Sequence, residues 1–408
     1  MSDNWKQTPL LRAAKEGQDA AVGLLLERED VDPNMTDITG RTPLSWAANY
    51  GRDGVVKLLL GRKDVNPNMA DGAGRTPLSW AANYGHGGVV ELLLGRKDVN
   101  PNMPDIDGRT PLSWAANHSE VVKILLGRED INPNSPDNDR RTPLWWAAID
   151  RSRKVLRLLI DCYDVNPNIS DKLGQTPLWL AAQLGYYEVV ELLLDREDVT
   201  ADTQDNFGET PLMMAAKLGS QSQMKLLLGR EDVNPNLADR HGKTPLLYAA
   251  MFGHDPLVKL LLDREDVTTN IQDCRGETPL AAAARLGRDG VVKLLLERGD
   301  VNPNITDIKG QTPLFCAAKS GSYPTVQQLL ERKDVIPDIT DKNGQTPLVA
   351  ASMFGHDEVV QLLLRREDVN PNIPDHDGRT PLWWASRSRR QGVVNLLQAR
   401  HSANPNGA

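Results

Sequence analysis

Cysteine is scarce and odd in number: Cys162, Cys274 and Cys316 are all that 408 residues contain. They share no metal-ligand spacing, so a disulfide framework is excluded and a reducing compartment, cytoplasmic or nuclear, is expected. No apolar run reaches the roughly 18 residues that a spanning helix needs, so no membrane partner is expected. Met1 to Gln7 is polar and does not read as a secretory leader. Positive charge is not in excess either. The formal net charge of −8 argues against a general binder of nucleic acid or anionic lipid. Histidine is sparse, and no His-Glu-x-x-His, phosphate loop, dinucleotide fingerprint or nucleophile elbow occurs. The sequence thus points to no catalytic residue, no metal and no cofactor.

What the sequence has is repetition. A Thr-Pro-Leu tripeptide begins at Thr8, Thr42, Thr76, Thr110, Thr142, Thr176, Thr210, Thr244, Thr278, Thr312, Thr346 and Thr380. Ten of the eleven intervals are 34 residues and the one from Thr110 to Thr142 is 32. A period of this size is the signature of a solenoid. Positions below are counted from the Thr of each copy.

Each copy reads as two short helices. Thr is a good N-cap, and Pro follows at N1, where its missing N–H costs nothing. Leu and an Ala-Ala pair fill the first helix, and Gly at plus nine (Gly51, Gly85, Gly185) reads as the left-handed residue that ends it. A second helix is expected from about plus twelve, with Pro256 and Pro324 at N1 and Asp53, Asp255, Asp289 and Asp357 as caps. Its apolar face is Val-Val-x-Leu-Leu-Leu. A polar connector, Asp-Val-Asn-Pro-Asn-x-x-Asp-x-x-Gly, leads to the next copy, with its Asp and Gly as turn residues. Helices this short are not stable alone in water, so each pair must bury its face on the next pair.

The run Gly-x-Thr-Pro-Leu-x-x-Ala-Ala-x-x-Gly, then Val-Val-x-Leu-Leu-Leu, then Asp-Val-Asn resembles the ankyrin repeat over essentially the whole chain. Two departures are systematic. The family's usual His at plus three is absent from every copy. Its Gly-Ala before Asp-Val is replaced by Arg-Glu, Arg-Lys or similar, with one added residue. This Arg-x-Asp-Val-Asn-Pro-Asn variant resembles long arrays of filamentous fungi, often found behind nucleotide-binding domains. The resemblance implies an all-α repeat solenoid, elongated and curved, of twelve helix-turn-helix repeats joined by hairpin-like connectors, with residues 1–408 as a single array. It also implies a monomeric, non-catalytic scaffold that binds another protein on its concave face. The alternatives are the recognition half of a signalling system or, less in keeping with the residues, an enzyme or small-molecule binder at repeats four and five.

In that family partners meet the connector tips and the exposed end of helix one, so the resemblance directs attention to positions minus four, minus three, minus one, plus seven and plus eight. Minus one reads Arg41, Arg75, Arg109 and Arg141 in repeats two to five and is mixed later; plus eight reads Tyr50, Tyr84, Leu184, Leu218, Phe252, Leu286 and Phe354. Arginine and aromatic residues are enriched at interface hot spots. Five tryptophans at plus four (Trp46, Trp80, Trp114, Trp146, Trp384) are expected to face the core. Repeat four lacks two residues, placed in the loop between its helices. Repeat five carries Arg140 and Arg151 where glycine is the rule, which costs energy if the backbone there needs a positive φ. Trp145 and Arg151 mark it as a second candidate contact site. Asp105-Ile106-Asp107-Gly108 and Asp375-His376-Asp377-Gly378 resemble the start of a calcium loop but lack its third and last acidic ligands, so a turn role is expected.

Overall fold

The Thr-Pro start and the small-residue interior produce the expected pairs of helices. In the computed structural model, which describes residues 7–403, there are 24 α-helices and no strand among the described residues. Two compact units divide them at Asn206 and Phe207. The first holds the helices from Pro9–Glu16 to Tyr187–Leu194, the second those from Pro211–Leu218 to Gln391–Ala403. Within each unit, helix one packs on helix one of the next copy and helix two on helix two. No helix among the described residues is long and apolar enough to cross a membrane.

Every Thr of the tripeptide is an N-cap. Thr42 Oγ1 accepts the N–H of Ser45 at 3.1 Å, and Thr346 that of Val349 at 3.2 Å. Helix one ends on a left-handed residue, Gly185 at φ 75° and Gly253 at φ 74°. Between these signals Leu44, Ala47 and Ala48 are buried, as are Val55, Val56 and Leu59 of helix two. Methyl-sized side chains let neighbouring helices approach, which is why the Ala-Ala pair is fixed in register.

Three local expectations change. The missing pair of residues in repeat four is taken from helix one itself, which spans only Pro111–Trp114 against Pro77–Asn83 in the copy before. The Asp residues that open helix two are its first helical residues, not caps: Asp53 starts Asp53–Gly61, and no side chain caps that helix. Pro256 and Pro324 accordingly sit at the second helical position, after Asp255 and Tyr323.

That Asp reaches instead to the next copy. A Cβ on Gly54 would lie 2.0 Å from Asp19 Oδ2, and one on Gly290 would lie 1.9 Å from Asp255 Oδ2. Only glycine leaves room for the carboxylate over the N-terminus of the neighbouring helix two, where the exposed N–H groups favour an anion. In repeat five Arg140 and Arg151 do adopt positive φ, 66° and 54°, and Arg389 joins them at 56°.

Candidate functional site

The connector sequence builds two inter-repeat ladders before any surface is left for a partner. In the Arg-x-Asp pair, Arg62 Nε donates to Asp64 Oδ1 at 2.9 Å while its Nη1 crosses to the carbonyl of Leu26 at 3.1 Å. Arg264 and Arg298 do the same toward Leu228 and Leu262 at 3.1 and 2.7 Å. The guanidinium therefore ties off the last carbonyls of the preceding helix two. Hydrogen bonding to Arg62 holds the Asp64 carboxyl below the usual carboxylate range. The second Asn of Asn-Pro-Asn forms the other ladder. Asn68 Nδ2 donates to the Asp98 carbonyl at 2.6 Å, and its Oδ1 accepts the N–H of Asn100 at 2.8 Å.

The connector tips carry a third ladder of single backbone bonds. Gly72 N–H donates to the Thr39 carbonyl at 2.9 Å in the first unit, and Arg240 N–H to that of Phe207 at 2.9 Å in the second. Beneath each tip the Asp at minus five has the turn role. Asp37 Oδ1 accepts the amides of Thr39 and Arg41 at 2.8 and 3.1 Å. Asp105 likewise accepts those of Asp107 and Arg109 at 3.0 and 2.9 Å. Burial works against charge on Asp37, but the hydrogen bonds from Thr39, Arg41 and Trp46 outweigh it and hold its carboxyl low.

Four of the five plus-four tryptophans lie at the edge of the core, not inside it. Trp80 is buried, whereas Trp46, Trp114, Trp146 and Trp384 are half-buried. Buried or half-buried, their indole N–H finds an acceptor in the connector: Trp46 Nε1 donates to Asp37 Oδ2 at 2.9 Å and Trp114 to Asp105 at 3.0 Å. Plus three is the enclosed position, occupied by Trp179, Met213, Leu247 and Phe315. Trp145, a candidate contact residue, is only 5 % exposed there, inside the repeat and edge-on to Trp146 at 5.2 Å.

The minus-one arginines stack on these rings. The Arg41 guanidinium lies 4.5 Å from the Trp46 ring and 3.8 Å from that of Trp80. Arg75 lies 3.8 Å from Trp80. Arg109 lies 4.8 and 3.8 Å from Trp114 and Trp146. Arg141 lies 4.6 Å from Trp145 and pairs with Asp139 at 3.3 Å. Nε of Arg41 and of Arg75 face Asp71 Oδ2 at 3.6 and 3.5 Å, with side chains 17 % and 27 % exposed. Burial pulls the Arg41 pKa down, and the Asp71 charge opposes this.

Beside the stacks, the plus-eight side chains stand out from the end of helix one. In the first unit Tyr50, Tyr84 and Leu184 are 43 %, 50 % and 40 % exposed. In the second, Leu218, Phe252, Leu286 and Phe354 are 51 %, 48 %, 38 % and 44 % exposed. Tyr50 stacks on Trp46 at 5.8 Å, and Tyr84 on Trp80 at 6.0 Å. Arg151 sits apart from this stripe. Its guanidinium lies 4.4 Å from the Tyr186 ring and 3.8 Å from Glu188, on the rim of a hollow of about 440 Å³.

The second unit uses the same positions differently. Tyr248 takes the tryptophan's place and donates to Asp239 at 2.5 Å. The minus-one acid Glu277 pairs with the plus-seven base Arg285 at 2.6 Å. Histidine at plus ten serves packing: His86 and His356 meet the preceding copy's carbonyls at Asn49 and Lys319, both at 3.1 Å. Burial pushes the Cys316 thiol up to about 12, so it holds no thiolate near neutrality.

The Asp–Trp and Arg–Asp–carbonyl links were not expected from the sequence. Each left a signal: a constant nine-residue spacing from Asp to Trp, and a 34-residue period of Arg-x-Asp that no intra-repeat need explains.

The model of three-copy ankyrin repeats matches residues 1–71, 56–137, 129–203, 197–273, 265–337 and 323–407. No curated protein matches. Among solved structures, the ankyrin repeat domain of Bcl-3, described as a unique member of the IkappaB protein family, is 29% identical. That match covers 55% of this chain and 99% of the other, with a TM-score of 0.49. The ankyrin repeat protein EF0377 is 25% identical over 46% of this chain and 96% of its own, with a TM-score of 0.44. With family matches running from residue 1 to residue 407, the chain belongs to the ankyrin-repeat family.

Proposed function

We propose that this chain is a non-catalytic scaffold that binds a partner protein through the face made by connector tips and helix-one ends. One observation carries the reading. Seven plus-eight side chains, Tyr50, Tyr84, Leu184, Leu218, Phe252, Leu286 and Phe354, are large, apolar and more than a third exposed, on helices that otherwise bury their apolar residues. Such side chains at one position in seven of the twelve copies are what an interface core needs and what a solvated face avoids. Of the remaining candidates, Arg41, Arg75 and Arg109 border the stripe in the first unit. Trp145 is enclosed beneath Arg141, and Arg151 lies apart from the stripe, against Tyr186 and Glu188. Binding of peptides and proteins, not chemistry, is the function proposed for this face.

The test is capture of a partner from the native host by the full chain, compared with Tyr84→Glu and Phe252→Glu. Each variant places a charge on the stripe without touching the buried Leu and Ala positions. Loss of the captured partner with unchanged helicity is the expected result. Full retention by both variants moves the interface off this face.

A further inference from the structure

We propose that the arginine row of the first unit reads carboxylates: it takes an extended acidic segment of a partner protein with Asp or Glu at every third position. The proposal rests on the reading above that this face is the interface.

The argument starts from what the guanidinium groups lack. Nε of Arg41, Arg75 and Arg109 is buried without a hydrogen bond. In Arg41 and Arg75 it is the nitrogen nearest the buried Asp71. That places the Nε edge inward and the Nη edge outward. The Nη groups of Arg41, Arg75 and Arg109 are not enclosed, and no acceptor among the described residues takes their protons. The Arg-x-Asp row is the internal contrast. There Arg96 spends Nε and Nη2 on Asp98 and Nη1 on the Arg62 carbonyl. Arg379, at minus one of the last copy, is also closed off, because its Nε donates to Asp375 at 2.9 Å and its Nη2 to Asp377. Arg141 is engaged by Asp139.

Each open arginine already lies against at least one indole ring. Arg41 lies against the rings of Trp46 and Trp80, Arg75 against Trp80, and Arg109 against Trp114 and Trp146. These contacts fix each plane, so little side-chain freedom is left to lose when a ligand is gripped. They also occupy the indole faces, which removes the stacking platform that a nucleic-acid base would use. The acids behind the row are themselves spent. Asp37 and Asp105 each take two amides on Oδ1 and an indole N–H on Oδ2.

A fixed, planar pair of N–H donors with its edge toward solvent matches a carboxylate, two bonds at once. Successive arginines come from successive copies, whose packed helices lie roughly 8–10 Å apart. An extended chain advances about 3.3 Å per residue, so three residues span one copy. Arg41, Arg75 and Arg109 therefore suit an acid at positions one, four and seven. Tyr50 and Tyr84 stand alongside for the apolar side chains between the acids.

The test is fluorescence anisotropy of the full chain with a labelled ten-residue peptide that has Glu at every third position and Ala and Ser between. Saturable binding that weakens with added salt is expected. The same peptide with Gln for Glu should bind about ten-fold more weakly or worse, since one charged hydrogen bond is worth roughly that factor. Arg75→Gln should weaken the Glu peptide by about ten-fold. Arg75→Lys should weaken it several-fold as well, because charge without the fork is not enough. Arg62→Gln, in the staple row, should leave affinity unchanged. Near-ultraviolet dichroism of the tryptophans verifies that each variant is folded, and Arg109→Gln replaces any that is not.

Equal affinity for the Glu and Gln peptides overturns the proposal. So does a single-stranded oligonucleotide that binds this row more tightly than the Glu peptide. If Tyr84→Glu releases the captured partner while Arg75→Gln and Arg109→Gln both retain it, the interface stands and the carboxylate strip falls. If Tyr84→Glu, Phe252→Glu and the arginine variants all retain it, both readings fall.

Discussion

Trp80 donates its indole N–H to Oδ2 of Asp71 at 3.1 Å, and the same carboxylate takes the amides of Ala73 and Arg75 on Oδ1 at 2.9 and 3.0 Å. One buried side chain thereby sets the connector turn, the tryptophan rotamer and the position of two arginines. Asp71→Asn offers an amide where Trp80 needs an acceptor, and it removes the charge opposite Arg41 and Arg75. A loss of about 2–3 kcal/mol is expected in the first unit, the usual cost of unmatched buried polar groups. Urea unfolding followed by tryptophan fluorescence measures it. A loss below about 0.5 kcal/mol would show that water replaces the carboxylate at no cost.

Repeat five lacks the Arg of its Arg-x-Asp pair and has Cys162 instead. In the copy before, Arg128 bonds Asp130 at 2.8 and 2.7 Å and the Leu94 carbonyl at 2.8 Å. Cys162→Arg should restore that staple, to Asp164 and to the carbonyl end of the preceding helix two. The site is half-buried but the acid of the equivalent pair is exposed, so the gain is modest, about 0.5–1 kcal/mol, or roughly 1–3 °C in melting temperature. A lower melting temperature would mean that the repeat-five backbone has departed from the staple geometry.

How much was legible follows from which residues repeat and which do not. The Thr-Pro caps, the glycines at plus nine and the Ala-Ala and Val-Val pairs each have one local role, so the helix pairs could be read off directly. Arg41 and Trp46 could not be placed so easily. Arg41 depends on Trp80 and Asp71 in the next copy, and Trp46 on Asp37 nine residues before it, so neither role follows from the residue's own helix position. Trp145 and Trp46 differ by one helical position, about 100° around the helix, which decides burial against edge. The plus-eight stripe needed only the helix end at plus nine to be right, and its exposure follows.

Arg140 and Arg151 share a positive φ but differ in company. A non-glycine residue there is strained by about 1 kcal/mol or more, and glycine returns part of that as unfolded-chain entropy. Arg140→Gly should therefore leave the melting temperature unchanged or raise it. Arg151→Gly also forfeits the contacts to Tyr186 and Glu188, so it should be less favourable than Arg140→Gly. Calorimetry on the two single variants gives the order. The reverse order would assign Arg140 a contact of its own.

Asp338 stands where the ladder elsewhere in the second unit has asparagine. Asn304 donates Nδ2 to the Asp334 carbonyl at 2.7 Å and accepts the Ile336 N–H at 2.9 Å. Asp338 keeps the acceptor half, taking the Asn370 N–H on Oδ2 at 2.8 Å, but its buried Oδ1 has no partner. A carboxylate cannot donate to the next carbonyl; a carboxylic acid can. Burial pushes the Asp338 pKa up, the Asn370 N–H opposes the shift, and the Asp368 charge adds to it. Because the folded pKa lies above the unfolded one, the folded state binds the proton more tightly. Its contribution is full below the unfolded value and is lost as pH rises through the folded value. Asp338→Asn supplies a permanent donor to the Asp368 carbonyl. It should stabilise the second unit by about 1–2 kcal/mol at pH 7, the worth of one unmet buried bond. The advantage should shrink as pH falls through the raised pKa and the native acid takes up its proton. Thermal melts of both proteins across that range measure the difference, and an advantage constant with pH would place the titrating proton elsewhere.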